Sequence, residues 1–263
     1  MTFTLTILGS NSAIPTLTRN PSAQLINVNE RLFLIDCAEG TQLQIRKFHV
    51  KFQRIRHIFI SHLHGDHFYG LIGLLTSLHL LGRKDELHLH GHPLLKNIID
   101  LQLNASLTTL VYPLTFHPLN PDHYELVYED EKVTAHSFPL VHSVPTCGFI
   151  FREKKPARNV TTGERSYAYC SDTAYSESII PFIRNCHLLY HETTFMHNMA
   201  KNAKEKLHST TIEAATIAKL AGVRKLMIGH FSARYDDLQP LLEETRTVFP
   251  DTILAEDGSI IQI

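Results

Sequence analysis

Residues 61–67 read Ser61-His62-Leu63-His64-Gly65-Asp66-His67, and four of these seven side chains are potential metal ligands. The run directly follows the apolar segment Ile58-Phe59-Ile60, which predicts a strand that ends there. His62 and His64 stand two residues apart, so in extended chain both face one side. The glycine permits a sharp turn, after which the aspartate and the last histidine face a second position nearby. Imidazole and carboxylate ligands together predict zinc, with manganese or iron less suited.

Further ligands are expected at other strand ends, because open sheets form their sites beyond the carboxyl ends of strands. Four segments run from apolar into ionisable residues: Phe138–Ser143, Tyr169–Thr173, Leu189–Glu192 and Met227–Phe231. Seven candidate ligands then divide between two zinc ions: His62, His64 and His142 for one, Asp66, His67 and His230 for the other, and Asp172 bridging both. This count leaves a position for a shared water or hydroxide, which is typical of a catalytic site.

The composition excludes several function classes. The 263 residues are 43% hydrophobic with a net charge of -1, so a sizeable core is expected and no overall field attracts nucleic acid or a membrane. No apolar run approaches the roughly 20 residues of a membrane span. The four cysteines form no C-x-x-C pair, which argues against a disulfide scaffold and favours a reduced, cytoplasmic location.

The sequence predicts strands and helices along the whole length. Some predicted strands follow one another directly, and others alternate with helices. Phe68–Leu81 predicts a buried helix because most of its faces are apolar. Thr210 and Glu213 form a capping box before the predicted helix Ile212–Leu220. This mixture of elements indicates an α/β (α+β) fold with one mixed sheet or two sheets covered by helices. Arg152–Ser166 is the one polar, linker-like stretch.

The ligand set resembles that of the metallo-β-lactamase superfamily. Four more motifs resemble the ribonuclease Z family: Gly9–Asn20, Tyr190–Phe195, His208-Ser209-Thr210 and Gly229–Tyr235. The resemblance covers essentially the whole chain. It implies a single metallo-β-lactamase-like domain over residues 1–263 with an αββα sandwich, two Zn²⁺ per subunit and a homodimer. The implied activity is removal of the 3′ trailer from precursor tRNA by phosphodiester hydrolysis, with the hydroxide shared by the metals as nucleophile.

The resemblance also assigns roles to individual residues. His208 matches the family's histidine that faces the leaving 3′-oxygen, and Glu192 matches the carboxylate that orients it. Asp66 is interpreted as a general base as well as a ligand, and pure ligation remains the alternative. Arginine side chains match phosphate geometry, so the predicted contacts to phosphates or to the last nucleotides of the tRNA are Arg19, Asn20 and Arg234.

One feature departs from the family pattern. Ribonuclease Z enzymes usually carry a long flexible arm that grips the tRNA body, where this chain has only the connection 152–166. A motif expected to open that region remains only as Arg158-Asn159. Natural loss, an engineered deletion and the omission of a mobile segment from the sequence all account for this. The short connection therefore affects the expectation of tight tRNA binding. It does not affect the expected hydrolysis of the phosphodiester.

Two alternative functions remain open. The first is a bimetal hydrolase of small phosphodiesters, esters or thioesters on the same fold. The second is a metal-dependent binding module or an inactive partner subunit, which would be expected to lack some ligands or the Glu192 and His208 pair. The run His88-x-His90-x-His92 lacks an acidic residue and is interpreted as structural, and His191 as a packed strand residue.

Overall fold

The computed structural model describes residues 2–154 and 164–263, and it contains two seven-stranded mixed sheets. The first sheet has the order β14-β1-β2-β3-β4-β5-β6. Its strands are β1 (Phe3–Gly9), β2 (Ala23–Val28), β3 (Arg31–Ile35), β4 (Ile55–Phe59), β5 (Leu87–Gly91), β6 (Leu114–Pro118) and β14 (Ile260–Gln262). The pairs from β14 to β3 are antiparallel and those from β3 to β6 are parallel.

The second sheet has the order β13-β12-β11-β10-β9-β8-β7. Its strands are β7 (Glu125–Glu129), β8 (Val133–Pro139), β9 (Cys147–Glu153), β10 (Ser166–Cys170), β11 (Leu188–Glu192), β12 (Lys225–Gly229) and β13 (Thr252–Leu254). The pairs from β7 to β10 are antiparallel and those from β10 to β13 are parallel. Each sheet therefore combines three antiparallel with three parallel pairings. The predicted motif remnant Arg158-Asn159 lies outside the described residues.

Eight α-helices are found in the described part of the chain. They are α1 (Thr41–Lys47), α2 (Gly65–Phe68), α3 (Leu71–Leu80), α4 (Pro93–Ala105), α5 (Ile180–Ile183), α6 (Ala200–Lys206), α7 (Thr211–Ala221) and α8 (Gln239–Arg246). None of these helices is long and apolar enough to cross a membrane. The capping box predicted at the start of α7 is present, and Gly222 ends that helix with φ 64°.

Three apolar layers hold the sheets and helices together. Aromatic side chains of both sheets, among them Phe33 and Phe149, fill the space between the sheets. The outer face of the first sheet packs against α1, α3 and α4, as Leu34 and Leu75 illustrate. The outer face of the second sheet packs against α5, α7 and α8. The architecture is the expected αββα sandwich.

The predicted helix Phe68–Leu81 is divided into two, so this prediction was wrong in part. The chain breaks at Gly70, whose amide donates to the Cys37 carbonyl at 2.9 Å. A Cβ on Gly70 would lie 2.0 Å from the Ala38 carbonyl oxygen, so only glycine allows this approach. The approach ties the start of α3 to the loop after β3. The periodicity of apolar residues in the sequence does not reveal a backbone contact of this kind.

Histidines from β4, β5 and β6 form a ring stack on the inner face of the first sheet. His57 stacks on His88 with 4.6 Å between ring centroids, and His90 stacks between Phe59 and His117 at 4.2 and 4.4 Å. These contacts agree with the structural interpretation of the His88 and His90 run. The third histidine of that run, at position 92, caps α4 by accepting a hydrogen bond from the Leu94 amide.

We expect this stack to make the fold sensitive to acid. Burial lowers the pKa of His57 to about 3 and that of His90 to about 2, with the neighbouring histidines adding to the effect. The unfolded chain takes up these protons below about pH 6.5, so the stabilisation is fully present above that pH and is lost as the pH falls toward the folded values. Each such histidine changes the free energy of unfolding by about 1.4 kcal/mol per pH unit.

Urea unfolding between pH 7 and 4 measures this slope, with His90→Phe as the comparison. The variant retains a ring against Phe59 and removes one titrating group. Its slope should be shallower than that of the parent chain, whereas equal slopes would contradict the assignment. The metal-ligand histidines are common to both proteins and cancel in the difference.

Candidate metal centre

The candidate site lies where strands of both sheets end. The loop that follows β4 carries His62 and His64, and α2, which begins directly after it, carries Asp66 and His67. His142 follows β8, Asp172 follows β10 and His230 follows β12. The structure therefore brings together all seven residues that the sequence predicted as ligands, in two neighbouring groups.

The first group consists of His62, His64, His142 and Asp172. The Nδ1 atom of His64 lies 3.1 Å from His62 Nε2 and 3.2 Å from His142 Nε2. The Oδ2 atom of Asp172 lies 3.6 Å from the Nε2 atoms of both His62 and His142. Three imidazole nitrogens and one carboxylate oxygen thus converge on one point.

The second group consists of Asp66, His67 and His230, and the other oxygen of Asp172 faces it. Asp172 Oδ1 lies 3.2 Å from His67 Nε2 and 3.0 Å from His230 Nε2. Asp66 Oδ2 lies 3.5 Å from each of the same two nitrogens. Asp172 therefore directs one oxygen to each group, as the predicted bridging role requires.

The residues fit two metal ions. Four ligands at roughly 2.0–2.1 Å in a tetrahedron stand about 3.3 Å apart, which matches the nitrogen separations in the first group. In the second group, the Nε2 atoms of His67 and His230 are buried and make no hydrogen bond to any described residue, although carboxylate oxygens lie nearby. Nitrogens left in this state are costly unless a ligand occupies the space between them. In both groups the donors are the imidazole and carboxylate set that suits zinc.

In three of the ligand rings the second nitrogen is held by a partner outside the groups. Asp36 Oδ2 lies 2.7 Å from His67 Nδ1, and His142 Nδ1 donates to the Leu207 carbonyl at 3.0 Å. Thr194 Oγ1 lies 3.0 Å from His230 Nδ1. Such partners fix the ring orientation and turn Nε2 toward the metal position.

Asp36 is a functional candidate that the sequence reasoning missed. Its buried carboxylate accepts hydrogen bonds from the Ser61 amide and hydroxyl at 2.8 and 2.9 Å and from the Tyr169 hydroxyl at 2.7 Å. It therefore connects both sheets to His67. The available signal was its place directly after the apolar strand β3, the same pattern that marked the other sites.

Three of the residues at the strand ends adopt a left-handed backbone that side chains other than glycine rarely accept. Asp36, Asp172 and His230 have φ values of 55°, 58° and 58°. Such conformations cost free energy and persist where the surrounding structure enforces them, often at functional sites. Here they turn each side chain from its strand end into the site.

The charges of the site favour ionised carboxylates. Burial alone would raise the pKa of Asp172, but His230, His67 and His62 around it outweigh burial and hold the pKa well below its usual range. Burial likewise opposes the ionised form of Asp66, and His67 and His230 lower its pKa. Both aspartates are therefore ready as anionic ligands at neutral pH.

His208 and Glu192 form a second functional pair beside the ligands. His208 Nδ1 lies 2.7 Å from Glu192 Oε1. The buried Glu192 also accepts hydrogen bonds from the Thr173 amide at 3.0 Å and from the Thr194 amide and hydroxyl at 3.0 and 2.8 Å. Burial lowers the pKa of His208, but the Glu192 carboxylate more than offsets this and raises it to about 9. His208 is thus protonated at neutral pH and held by a fixed carboxylate.

Both groups and His208 open into one cleft of about 360 Å³. Its lining includes His64, Asp66, Asp172, His208 and the exposed Lys206. A substrate in this cleft contacts the metal ligands and His208 at the same time. That is the arrangement a hydrolytic site requires.

The predicted substrate contacts have partners within the protein. Arg19 donates to the Asn11 side chain at 2.9 Å and to the Tyr235 carbonyl at 2.7 Å. Asn20 donates from its amide and side chain to Asp257 at 2.8 and 3.1 Å. These contacts shape the loop beside the cleft. They leave a direct substrate contact by Arg19 or Asn20 as a prediction.

Arg234, the third predicted contact, is exposed beside α6. Its guanidinium lies 4.9 Å from the centroid of the Phe195 ring and donates to the Met199 sulfur at 2.9 Å. Its Nε donates to the Ser232 hydroxyl at 3.0 Å. Neither Arg234 nor these three contacts belong to the residues that line the cleft, and its role toward substrate stays a prediction.

Two sheets with outer helices and a cluster of histidines and aspartates at the strand ends define the metallo-β-lactamase fold. The metallo-β-lactamase fold protein YhfI from Bacillus subtilis superposes with a TM-score of 0.79 over 100% of both chains, at 22% identity. The short form of human tRNase Z superposes with a TM-score of 0.85 at 32% identity, over 98% of each chain.

Sequence comparison specifies the family. A family model described as "Anti-Pycsar protein Apyc1" matches residues 3–247. Ribonuclease Z of Azobacteroides pseudotrichonymphae is 42% identical over 285 residues, and that of Bacteroides fragilis is 41% identical over 301 residues, each covering 99% of both chains. The chain therefore belongs to the family that this model describes and, with these relatives, to the ribonuclease Z family. Its enzyme class is that of a metal-dependent endoribonuclease.

The alignments also bear on the short connection. They extend over 285 and 301 positions, whereas this chain has 263 residues, so these relatives contain segments that the chain lacks. That residues 152–166 replace a longer segment stays a prediction.

Proposed function

We propose that the protein removes the 3′ trailer from precursor tRNA by hydrolysing a phosphodiester bond at a two-metal centre. The observation that carries this proposal is the shared carboxylate of Asp172, with one oxygen toward each ligand group, beside the His208 and Glu192 pair in the same cleft. The tRNA substrate follows from the relatives, which are named ribonuclease Z, and from the human neighbour, which is named tRNase Z.

The proposed cofactors are two Zn²⁺ ions per chain. His62, His64 and His142 would hold one ion, Asp66, His67 and His230 the other, and Asp172 both. When bound, the ions would supply Lewis acidity that lowers the pKa of water and stabilises charge on the phosphate.

The protein's own groups perform the remaining tasks. Glu192 fixes Nδ1 of His208, so Nε2 is the nitrogen available to give a proton to the leaving 3′-oxygen. The raised pKa of His208 keeps that proton in place at neutral pH. The Ala13 amide donates to Asp66 Oδ2 at 2.8 Å, which orients this carboxylate for ligation and for accepting a proton from water.

The proposal has three finer parts. We expect zinc rather than manganese or iron from the ligand set and the resemblance, a homodimer in solution from the resemblance, and a cytoplasmic location from the cysteine usage. Elemental analysis, light scattering of the purified protein and cell fractionation test them separately.

A 3′-extended precursor tRNA tests the function directly. The metal-loaded protein should release the trailer, and a chelator should stop the reaction until metal is returned. Elemental analysis should find two ions per chain. We expect no cysteine ligand, since all four cysteines are buried and lie outside the ligand groups. One ion or fewer in a fully loaded chain would contradict the two-metal proposal.

A hydrolase of small phosphodiesters is the second candidate function, and the short connection at 152–166 favours it. An arm would supply phosphate contacts remote from the scissile bond, and each such contact adds salt-sensitive affinity. We expect this chain to cleave bis(p-nitrophenyl) phosphate well and to bind precursor tRNA poorly. Its affinity should also depend on salt less steeply than that of a relative with an arm.

Both activities and the salt dependence are measured on one preparation, with an arm-bearing ribonuclease Z as the comparison. Tight tRNA binding with a steep salt dependence would show that the body of the enzyme provides the recognition. Cleavage of the small phosphodiester alone would instead favour the second candidate function.

A further inference from the structure

Lys206 is the last residue of α6 and one of the side chains that line the candidate cleft. Among the described residues lining that cleft it is the one lysine or arginine. No acidic side chain of the described residues lies within 4.0 Å of its ammonium group, whereas Lys201 on the same helix approaches Glu205 at 3.9 Å. The charge of Lys206 is therefore available to a ligand in the cleft.

The backbone around Lys206 is fixed by the site itself. Leu207 adopts a left-handed conformation with φ 56° and ends α6. Its carbonyl accepts the hydrogen bond from His142, and the next amide, that of His208, donates to the Ala203 carbonyl at 2.9 Å. Lys206 thus extends from a turn that is attached to a metal ligand on one side and to the candidate acid on the other.

We propose that Lys206 binds the substrate phosphate that lies one nucleotide to the 5′ side of the scissile phosphate. This inference rests on the proposed function. His208 faces the leaving 3′-oxygen, so the groups beside it contact the nucleotide that keeps this oxygen. The phosphate on the 5′ side of that nucleotide is the next negative charge along the tRNA. A lysine ammonium at the cleft wall binds such a phosphate as a point charge.

The scissile phosphate itself is not the partner that the geometry favours. That phosphate must lie over the two ligand groups, where Asp172 and the metal positions are located. Lys206 is the exposed last residue of α6, and none of the seven assigned ligands lies on that helix. Its effect is therefore expected on substrates that extend upstream and absent from substrates with a single phosphate.

The test uses a short acceptor-stem RNA with a 3′ trailer, prepared in three forms. One form is unmodified, one carries a neutral methylphosphonate at the phosphate 5′ to the scissile one, and one carries it at the next phosphate on the 3′ side. The proteins are the parent chain, Lys206→Met, Lys206→Arg and the control Lys204→Met, which removes a charge from the same helix outside the cleft. The readout is kcat/KM, together with metal content and thermal melting.

Lys206→Met should lower kcat/KM on the unmodified RNA by about 10- to 100-fold, the scale of a hydrogen bond to a charged group. The 5′ methylphosphonate should lower the value for the parent chain similarly and cause little further loss in Lys206→Met. Lys206→Arg should retain most of the activity, and Lys204→Met should match the parent. Cleavage of bis(p-nitrophenyl) phosphate, which has no second phosphate, should be unchanged in Lys206→Met.

Three results would overturn the inference. If the 5′ methylphosphonate lowered kcat/KM by the same factor in Lys206→Met as in the parent chain, the lysine and that phosphate would not interact. If the 3′ methylphosphonate, and not the 5′ one, abolished the difference between the parent chain and Lys206→Met, Lys206 would bind a phosphate of the trailer. An equal loss on the small phosphodiester would assign it to the reacting phosphate. If the parent chain failed to cleave the unmodified RNA, the proposed function would fail instead, which separates the two outcomes.

Discussion

Asp66→Ala is expected to abolish RNA cleavage, so that the remaining rate falls below the detection limit of a standard cleavage assay. Asp66 Oδ2 lies 3.5 Å from the Nε2 atoms of His67 and His230 and completes the second ligand group. Its loss leaves two buried imidazoles with one carboxylate, that of Asp172, so this metal position is weakened while the first group is unchanged. Turnover and elemental analysis of the same preparation measure both effects.

Asp100→Ala provides the control for this prediction, because Asp100 lies on α4 and its nearest cationic group is the exposed Lys96 at 2.5 Å. That variant should retain full activity and metal content. An Asp66→Ala protein that held two ions and turned over at the parent rate would contradict the role assigned to this carboxylate.

His208→Ala is expected to slow the chemical step by roughly 10²- to 10⁴-fold, the usual scale of general acid–base catalysis, with both metals still bound. The residue contacts Glu192 and lines the cleft, but it is not among the seven assigned ligands. Single-turnover cleavage of a 3′-extended precursor at saturating enzyme measures the step.

A substrate with a better leaving group separates acid catalysis from a structural role. Nitrophenolate leaves without needing a proton, so the loss in His208→Ala should be much smaller on bis(p-nitrophenyl) phosphate. Glu192→Gln should resemble His208→Ala, and the double variant should lose little more than either, because the two residues act as one unit. If His208→Ala instead lost metal and regained fast turnover when metal was added, the assignment would be wrong.

Much of the site could be predicted because its ligands follow a local pattern. The segment of residues 62–67 places four ligands next to a strand, and His142, Asp172 and His230 each follow another strand end. Parallel strands bring such ends to one edge of a sheet, so sequence position alone indicated that these residues meet. Their division into two groups around Asp172 followed from counting ligands.

What could not be predicted depends on contacts between distant parts of the chain. Asp36 supports His67 across 31 positions and accepts from Tyr169 across 133 positions. Arg19 reaches the Tyr235 carbonyl across 216 positions. No periodicity or motif encodes these partners, so the first residue was missed and the second was interpreted as a substrate contact.

The fold was predictable to the same extent and for the same reason. The strand that ends before His62 and the capping box of α7 follow from local patterns, and the structure contains both. The break at Gly70 depends on the backbone of Ala38, which lies in another loop. The strand β6 has mostly half-buried side chains without clean alternation, so no sequence pattern marks it.

The pairing of β14 with β1 has a consequence for how the enzyme is made. Six strands of the first sheet belong to residues 3–118, yet β1 is flanked on its outer side by Ile260–Gln262. While the ribosome is still synthesising the second half, that edge of the nascent sheet is open to pairing with other chains. The same partial product carries His62, His64 and His67 but lacks Asp172 and His230. The first ligand group is complete only when Asp172 has emerged and the second only when His230 has. Loading of both metal positions, and with it any nuclease activity toward RNA near the ribosome, must therefore wait until His230 has emerged.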